Sequence, residues 1–151
     1  MSILYEPLFL MQLQLVVTSA MFGIIWLVQL VLYPAFAFVD EHRWIALHKL
    51  HTDRITWLVG PLMCGELAVS MAIALVHPAT LSGIGLLLTL GLWGLTFFRS
   101  VPLHLRLSLS RDAGNRLVLV EDLVRHNLWR SALWTARLGI AVMMIRDSSL
   151  A

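Results

Sequence analysis

Two ionisable side chains stand inside segments otherwise fit for hydrocarbon. Glu66 lies in the run Ile55 to Val76, and Arg137 in the run Leu128 to Ile145. Such groups are costly in a membrane span and face a bundle interior or a cavity. Glu66 is eleven residues from the basic-loop end of its run and Arg137 nine. At 1.5 Å per residue both are roughly 14–17 Å deep. Matching depth and opposite charge make them partners. The chemistry is then one of two kinds. Either Glu66 gives and takes a proton beside Arg137, as a catalytic pair, or the two form a structural ion pair that fixes helix register.

The last run holds more positive charge than Glu66 can neutralise. At 100° per residue, His126, Arg130 and Arg137 fall within about 40° of one another. Arg99 belongs at the same membrane level as Arg130. Surplus cations suit an anionic ligand such as a lipid phosphate, a carboxylate or a haem propionate. Alternatively, Arg99 and Arg130 snorkel to headgroups. Gln29 and Tyr33 are four residues apart in the first run and could bind a ligand or each other.

Five of the six histidines flank these arginines. Asp40 is placed to cap a helix over 41–54. On that helix Trp44, His48, His51 and Ile55 share one face. With His104, the His48 and His51 pair could hold a metal or flank a porphyrin, or be interfacial histidines with satisfied hydrogen bonds. No HExxH or ExxH motif accompanies them. Glu66 is fifteen residues beyond His51, ~22 Å along a helix axis. The expectation is two tiers, a histidine-rich mouth and a deeper carboxylate. The cofactor stays unknown, with haem or metal open.

The elements that must position these groups follow from composition. In 151 residues, 59% are hydrophobic and 13% charged, against about 45–50% and 25% in a soluble domain. This excludes a disordered chain and a water-soluble globule. The lone Cys64 excludes an internal disulfide. From Pro7 to Val39 there are 33 residues without a charge or histidine, against the ~20 that cross a bilayer. That length, and the lack of a basic start, argue for a span rather than a signal peptide. The predicted fold is an all-α bundle of four transmembrane helices, about 8–33, 55–76, 81–98 and 128–145, with a short cytoplasmic helix between spans 1 and 2. Asp112 to Asn115 is the predicted break in the long third loop. Nine Lys or Arg fall in the first and third loops and at the edge of the fourth span, against Arg146 alone on the other side. This bias puts those loops in the cytoplasm and both termini outside. The basic charge is thus a topology signal and does not point to nucleic acid.

Two stretches carry a family resemblance. One is Trp26-Leu27-Val28-Gln29-Leu30-Val31-Leu32-Tyr33-Pro34, followed by the His-rich helix. The other is Arg125-His126-Asn127-Leu128-Trp129-Arg130, leading into Trp134-Thr135-Ala136-Arg137. Over nearly the whole chain the layout resembles small four-helix bacterial membrane proteins grouped with the anthrone-oxygenase-like family. The resemblance implies a bacterial inner-membrane protein and oxidation of polycyclic aromatic substrates, and carries over no catalytic residues. The Trp-to-Pro spacing is also similar to that of the haem-binding four-helix protoporphyrinogen oxidases. Those have a histidine in the first span, where this chain has Ser19.

The expected function is therefore an oxidoreductase or oxygenase-like membrane protein. It would bind a hydrophobic, anionic or quinone-like molecule in the cytoplasmic half. Glu66 would handle the proton, Arg99 and Arg130 would hold the anion, and His48, His51, His104 and His126 would relay protons or ligate metal. The alternative is a non-catalytic small subunit or assembly factor of a larger membrane complex. A homo-oligomer that transports an anion or proton is the third possibility.

Overall fold

The computed structural model describes residues 2–148, with side chains from Pro7 onward. It is helical nearly throughout, with no strand among the described residues. The chain makes four rods. The first is α1 (Ser2–Leu27), which runs on through a π-helical turn (Val28–Leu32), one α-turn (Tyr33–Ala35) and a 3₁₀ turn (Phe36–Phe38). The second is α2 (Glu41–Val76). The third is α3 (Thr80–Leu95), a second π-turn (Thr96–Ser100) and α4 (Val101–Leu109). The fourth is α5 (Ala113–Ser148).

The separate short helix expected between spans 1 and 2 does not exist. Its residues are the first turns of the continuous 36-residue α2. Asp40 does cap it, accepting from the His42 N–H at 2.9 Å. The join near Arg54 stays helical because its residues bond along the helix. Lys49 pairs with Asp53 at 2.7 Å, and Thr52 Oγ1 donates to the His48 and Lys49 carbonyls, both at 3.0 Å. The break in the third loop falls slightly earlier than expected, at Ser110 to Asp112. Asp112 caps α5 by accepting from the Asn115 N–H at 2.7 Å.

Pro34 and Pro102 bend no rod to a stop. Each lacks the N–H that an α-helical ladder needs at its position. In each rod a five-residue π-turn closes just before the proline. Tyr33 N–H reaches Val28 O, and Val101 N–H reaches Thr96 O. Such turns are frequent at functional sites, and here they carry Gln29, Thr96 and Ser100 into the bundle.

The rods form a ring in which α1 packs on α2 and α5, and α3 packs on the same two. Three buried clusters stack along it. Tyr33, Phe36, Trp44, Leu107 and Leu123 fill one end; Met21, Ile25, Met63, Leu92 and Trp134 the middle; Met11, Val69, Ile73 and Met144 the other end. Large apolar side chains also cover the outside, among them Phe38, Trp57, Leu75 and Phe98. An exterior this apolar suits lipid and not water. Three rods are long and apolar enough to cross a membrane, over Pro7–Phe38, Glu41–Val76 and Thr80–Leu109. The fourth falls short of that measure because Arg130 and Arg137 interrupt its apolar stretch.

Removing the α2 cap with Asp40→Ala should lower stability by about 1 kcal/mol. Thermal unfolding in mild detergent checks this, with Asp53→Ala, an exposed pair on the same helix, as the nearly neutral comparison.

Candidate functional site

The two expected tiers are both present. In the deeper one, Arg137 Nε lies 2.9 Å from Glu66 Oε1, and their side chains are 1% and 0% exposed. The surrounding shell comes from three further stretches. Thr18 Oγ1 points at both Glu66 oxygens, at 2.9 and 3.1 Å. Arg137 Nε also reaches Thr89 Oγ1, and Nη2 reaches Ser70 Oγ, each at 3.2 Å. Ser70 Oγ in turn donates to Gln14 Oε1 at 3.2 Å. Gly85 lies flat against the guanidinium, where a Cβ would stand 3.3 Å from Arg137 Nη1 and 3.4 Å from Cζ. The first rod thus contributes more than Gln29 and Tyr33. Gln14 and Thr18, Glu66 and Ser70, and Gly85 and Thr89 are each four residues apart. That spacing of small polar residues in apolar runs was the available signal.

The upper tier is built around a cavity of about 260 Å³ between α1, α2, the second π-turn and α5. Its walls are apolar, with Ile25, Val28, Ile55, Val59, Met63, Trp93 and Phe97 among them. Its polar groups are Tyr33, His104, Arg130, Thr56, Thr96 and Ser100. Thr56 on one rim and Phe97 and Val101 on the other are exposed on the outer surface, so the cavity opens sideways between α2 and the third rod.

Arg130 is 6% exposed. Its Nη1 donates to Asn127 Oδ1 at 3.2 Å, and it interacts with the Tyr33 hydroxyl, while its buried Nε has no partner. Asn127 is held by Gln29, whose Oε1 accepts from Asn127 Nδ2 at 2.8 Å and whose Nε2 donates to Val124 O at 3.2 Å. Gln29 therefore supports the arginine's partner and does not line the cavity. Gln29 and Tyr33 do not bond each other. The π-turn between them shifts the phase that α-helical spacing would give, and Tyr33 turns instead to His104.

The histidines gather beyond Tyr33. Its Oη is 2.9 Å from His104 Nε2, and His104 Nδ1 is 3.2 Å from His48 Nε2. His51 packs edge-on against Tyr33 and Phe36, with its centroid 5.7 Å from that of His104. The expected metal site is not formed. Among the described residues no group of three or more His, Cys, Asp or Glu side chains is arranged to hold a metal. Both ring nitrogens of His104 are already engaged, and the facing nitrogen of His48 with them. Two other residues expected to hold a ligand do not line the cavity, and for Arg99 the headgroup-facing alternative is the one compatible with its exposure. Arg99 is exposed on the outer side of the second π-turn, away from the cavity. The five-residue turn rotates its register relative to an α-helix. His126 is half-buried on α5 and lines no part of the cavity. Asn127, the residue after it, takes the inward position expected of His126.

The deeper pair gives a direct energetic expectation. Breaking a buried ion pair from one side costs about 3–5 kcal/mol, because the remaining charge loses its partner. Glu66→Gln and Arg137→Gln should each destabilise by that order, and the double variant by much less than their sum. A double-mutant cycle from unfolding in detergent measures this, and additive losses would refute the coupling. Gly85→Val should mimic the arginine variant, since its added carbons meet the guanidinium.

No protein-family model, curated protein or solved structure matches this chain.

Proposed function

We propose that this protein is a four-span membrane protein that binds a lipophilic anion in the cavity below Tyr33, His104 and Arg130. The fourth span is α5 from about 128 to 145. Its two arginines lower its hydropathy, yet both point into the bundle, so lipid meets the apolar remainder. The nine-to-one bias of Lys and Arg puts the loops between the first and second rods and between the third and fourth on the cytoplasmic side. The cavity then lies in the cytoplasmic half.

The observation that carries this reading is the contrast between two buried arginines seven residues apart on one helix face. A buried guanidinium needs an anion or a full set of hydrogen bonds. Arg137 has Glu66. Among the described residues no carboxylate pairs with Arg130, and its Nε is left over. A carboxylate or phosphate head at the cavity's polar end would supply both the missing charge and the missing acceptor. The apolar walls and the sideways opening suit a hydrocarbon or ring body that arrives from the bilayer. Glu66 and Arg137, enclosed and away from this cavity, serve as the locked pair that holds α2 against α5.

A fluorescent fatty acid, dansyl-undecanoic acid, tests the reading with purified protein in mild detergent. The wild type should bind the acid more tightly than its methyl ester. Arg130→Gln should weaken acid binding roughly ten- to hundredfold, the loss of ~1.5–3 kcal/mol from a charged hydrogen bond, and leave the ester unchanged. Equal binding of acid and ester by the wild type would refute it.

A further inference from the structure

The chain from Tyr33 through His104 to His48 has a property that anion binding alone does not use, and the inference drawn from it rests on the binding reading above. Tyr33 and His104 line the cavity, whereas His48 does not. The His48 ring is 1% exposed and stacks at a tilt beside Trp44, toward the start of α2. A neutral imidazole has one N–H and one bare nitrogen. The two contacts of 2.9 and 3.2 Å therefore admit two orderings. In the first, Tyr33 O–H donates to His104 Nε2, and His104 Nδ1–H donates to His48 Nε2. In the second, His48 Nε2–H donates to His104 Nδ1, and His104 Nε2–H donates to Tyr33 Oη. Only the second frees the Tyr33 O–H to face a ligand. Passing from one to the other moves a proton across all three groups.

We propose that Tyr33, His104 and His48 are a proton relay between the acidic head of a bound lipophile and the Trp44 end of the bundle. Delivery starts from the second ordering. His48 gains a proton at Nδ1 from water and passes its Nε2 proton to His104 Nδ1. His104 passes its Nε2 proton to Tyr33 Oη, and Tyr33 passes its original proton to the ligand's anionic oxygen. One proton leaves water, one O–H bond forms on the ligand, and no electrons move. The chain is left in the first ordering, and the reverse sequence deprotonates the ligand.

The titratable and charged groups facing the relay are few. Arg130 of α5 interacts with Tyr33. His51 of α2 lies against Tyr33 and His104. Arg116 of α5 covers Trp44, its Cζ 5.3 Å from the ring centroid. Among the described residues no carboxylate pairs with or hydrogen-bonds to Tyr33, His104, His48 or His51, and Glu41 stands beyond Trp44 beside Arg116, so no acid within the relay traps the proton in transit.

The test uses a chromophore, 2-nitro-4-octylphenol, whose phenol and phenolate absorb at different wavelengths. It is bound to the purified protein in detergent, and its relaxation after a pH jump is followed by stopped flow. His48→Gln, which lies outside the cavity, should bind the probe with affinity within about threefold of wild type but exchange its proton roughly 10²-fold more slowly, the scale of a lost acid–base group. Tyr33→Phe and His104→Gln, read at probe concentrations that saturate each variant, should slow exchange to the same degree, and the exposed Arg99→Gln should change neither affinity nor exchange. Wild-type relaxation in the relay variants would overturn the relay and leave the binding reading standing. Loss of the probe by His48→Gln would also overturn it, since that residue would then hold the head and not move its proton. Failure of the wild type to bind the probe would overturn both readings.

Discussion

Arg137 and Glu66 meet 2.9 Å apart deep in the bundle, enclosed by a small shell of neutral polar side chains. A guanidinium placed among apolar helices is tolerable only with an anion and hydrogen-bond acceptors around it. Here the anion comes from α2, and the supporting oxygens come from Thr89 on α3 and Ser70 on α2. Thr18 on α1 braces the carboxylate. One ion pair thereby ties all four rods together at a single level. A slip of any rod by one residue would leave a buried charge short of partners, so this contact sets the register on which the rest of the bundle depends.

That register fixes the second tier. With Arg137 held, Arg130 two turns earlier on the same face of α5 also points inward, and among the described residues no acidic side chain pairs with it there. The upper tier is therefore a region where the protein has a buried cation without its own anion. The two π-turns complete it. Each precedes a proline in its rod and changes the helical phase, one turning Tyr33 toward His104 and the other bringing Thr96 and Ser100 to the cavity. The prolines do not end the rods and instead shape the site.

Much of this was legible in the chain itself. The pairing of Glu66 with Arg137 followed from depth and charge, and the two-tier arrangement followed from the distance between His51 and Glu66. The Asp40 cap and the clustering of Trp44, His48 and His51 on one face followed from helical spacing. What was missed has a common cause. Hydropathy patterns mark where charges are but not which neutral residues satisfy them, so Gln14, Thr18, Ser70, Thr89 and Asn127 drew no attention. His126 was misplaced because a uniform 100° per residue cannot choose between it and the adjacent Asn127, and membrane level alone could not say whether Arg99 faces the bundle or its outside.

By itself, the amino-acid sequence determined an all-helical chain with long apolar runs and an inward-facing Arg137 on its last helix, because these depend on local spacing and on the cost of charge in hydrocarbon. Tertiary structure decided that Arg130 would also turn inward, to face a cavity where no carboxylate among the described residues pairs with it. It also decided that His104 would stand between Tyr33 and His48, linking three residues from three different rods. Those outcomes depend on how the rods are rotated against one another, and rotation is set by packing across the bundle, where no single segment carries the information.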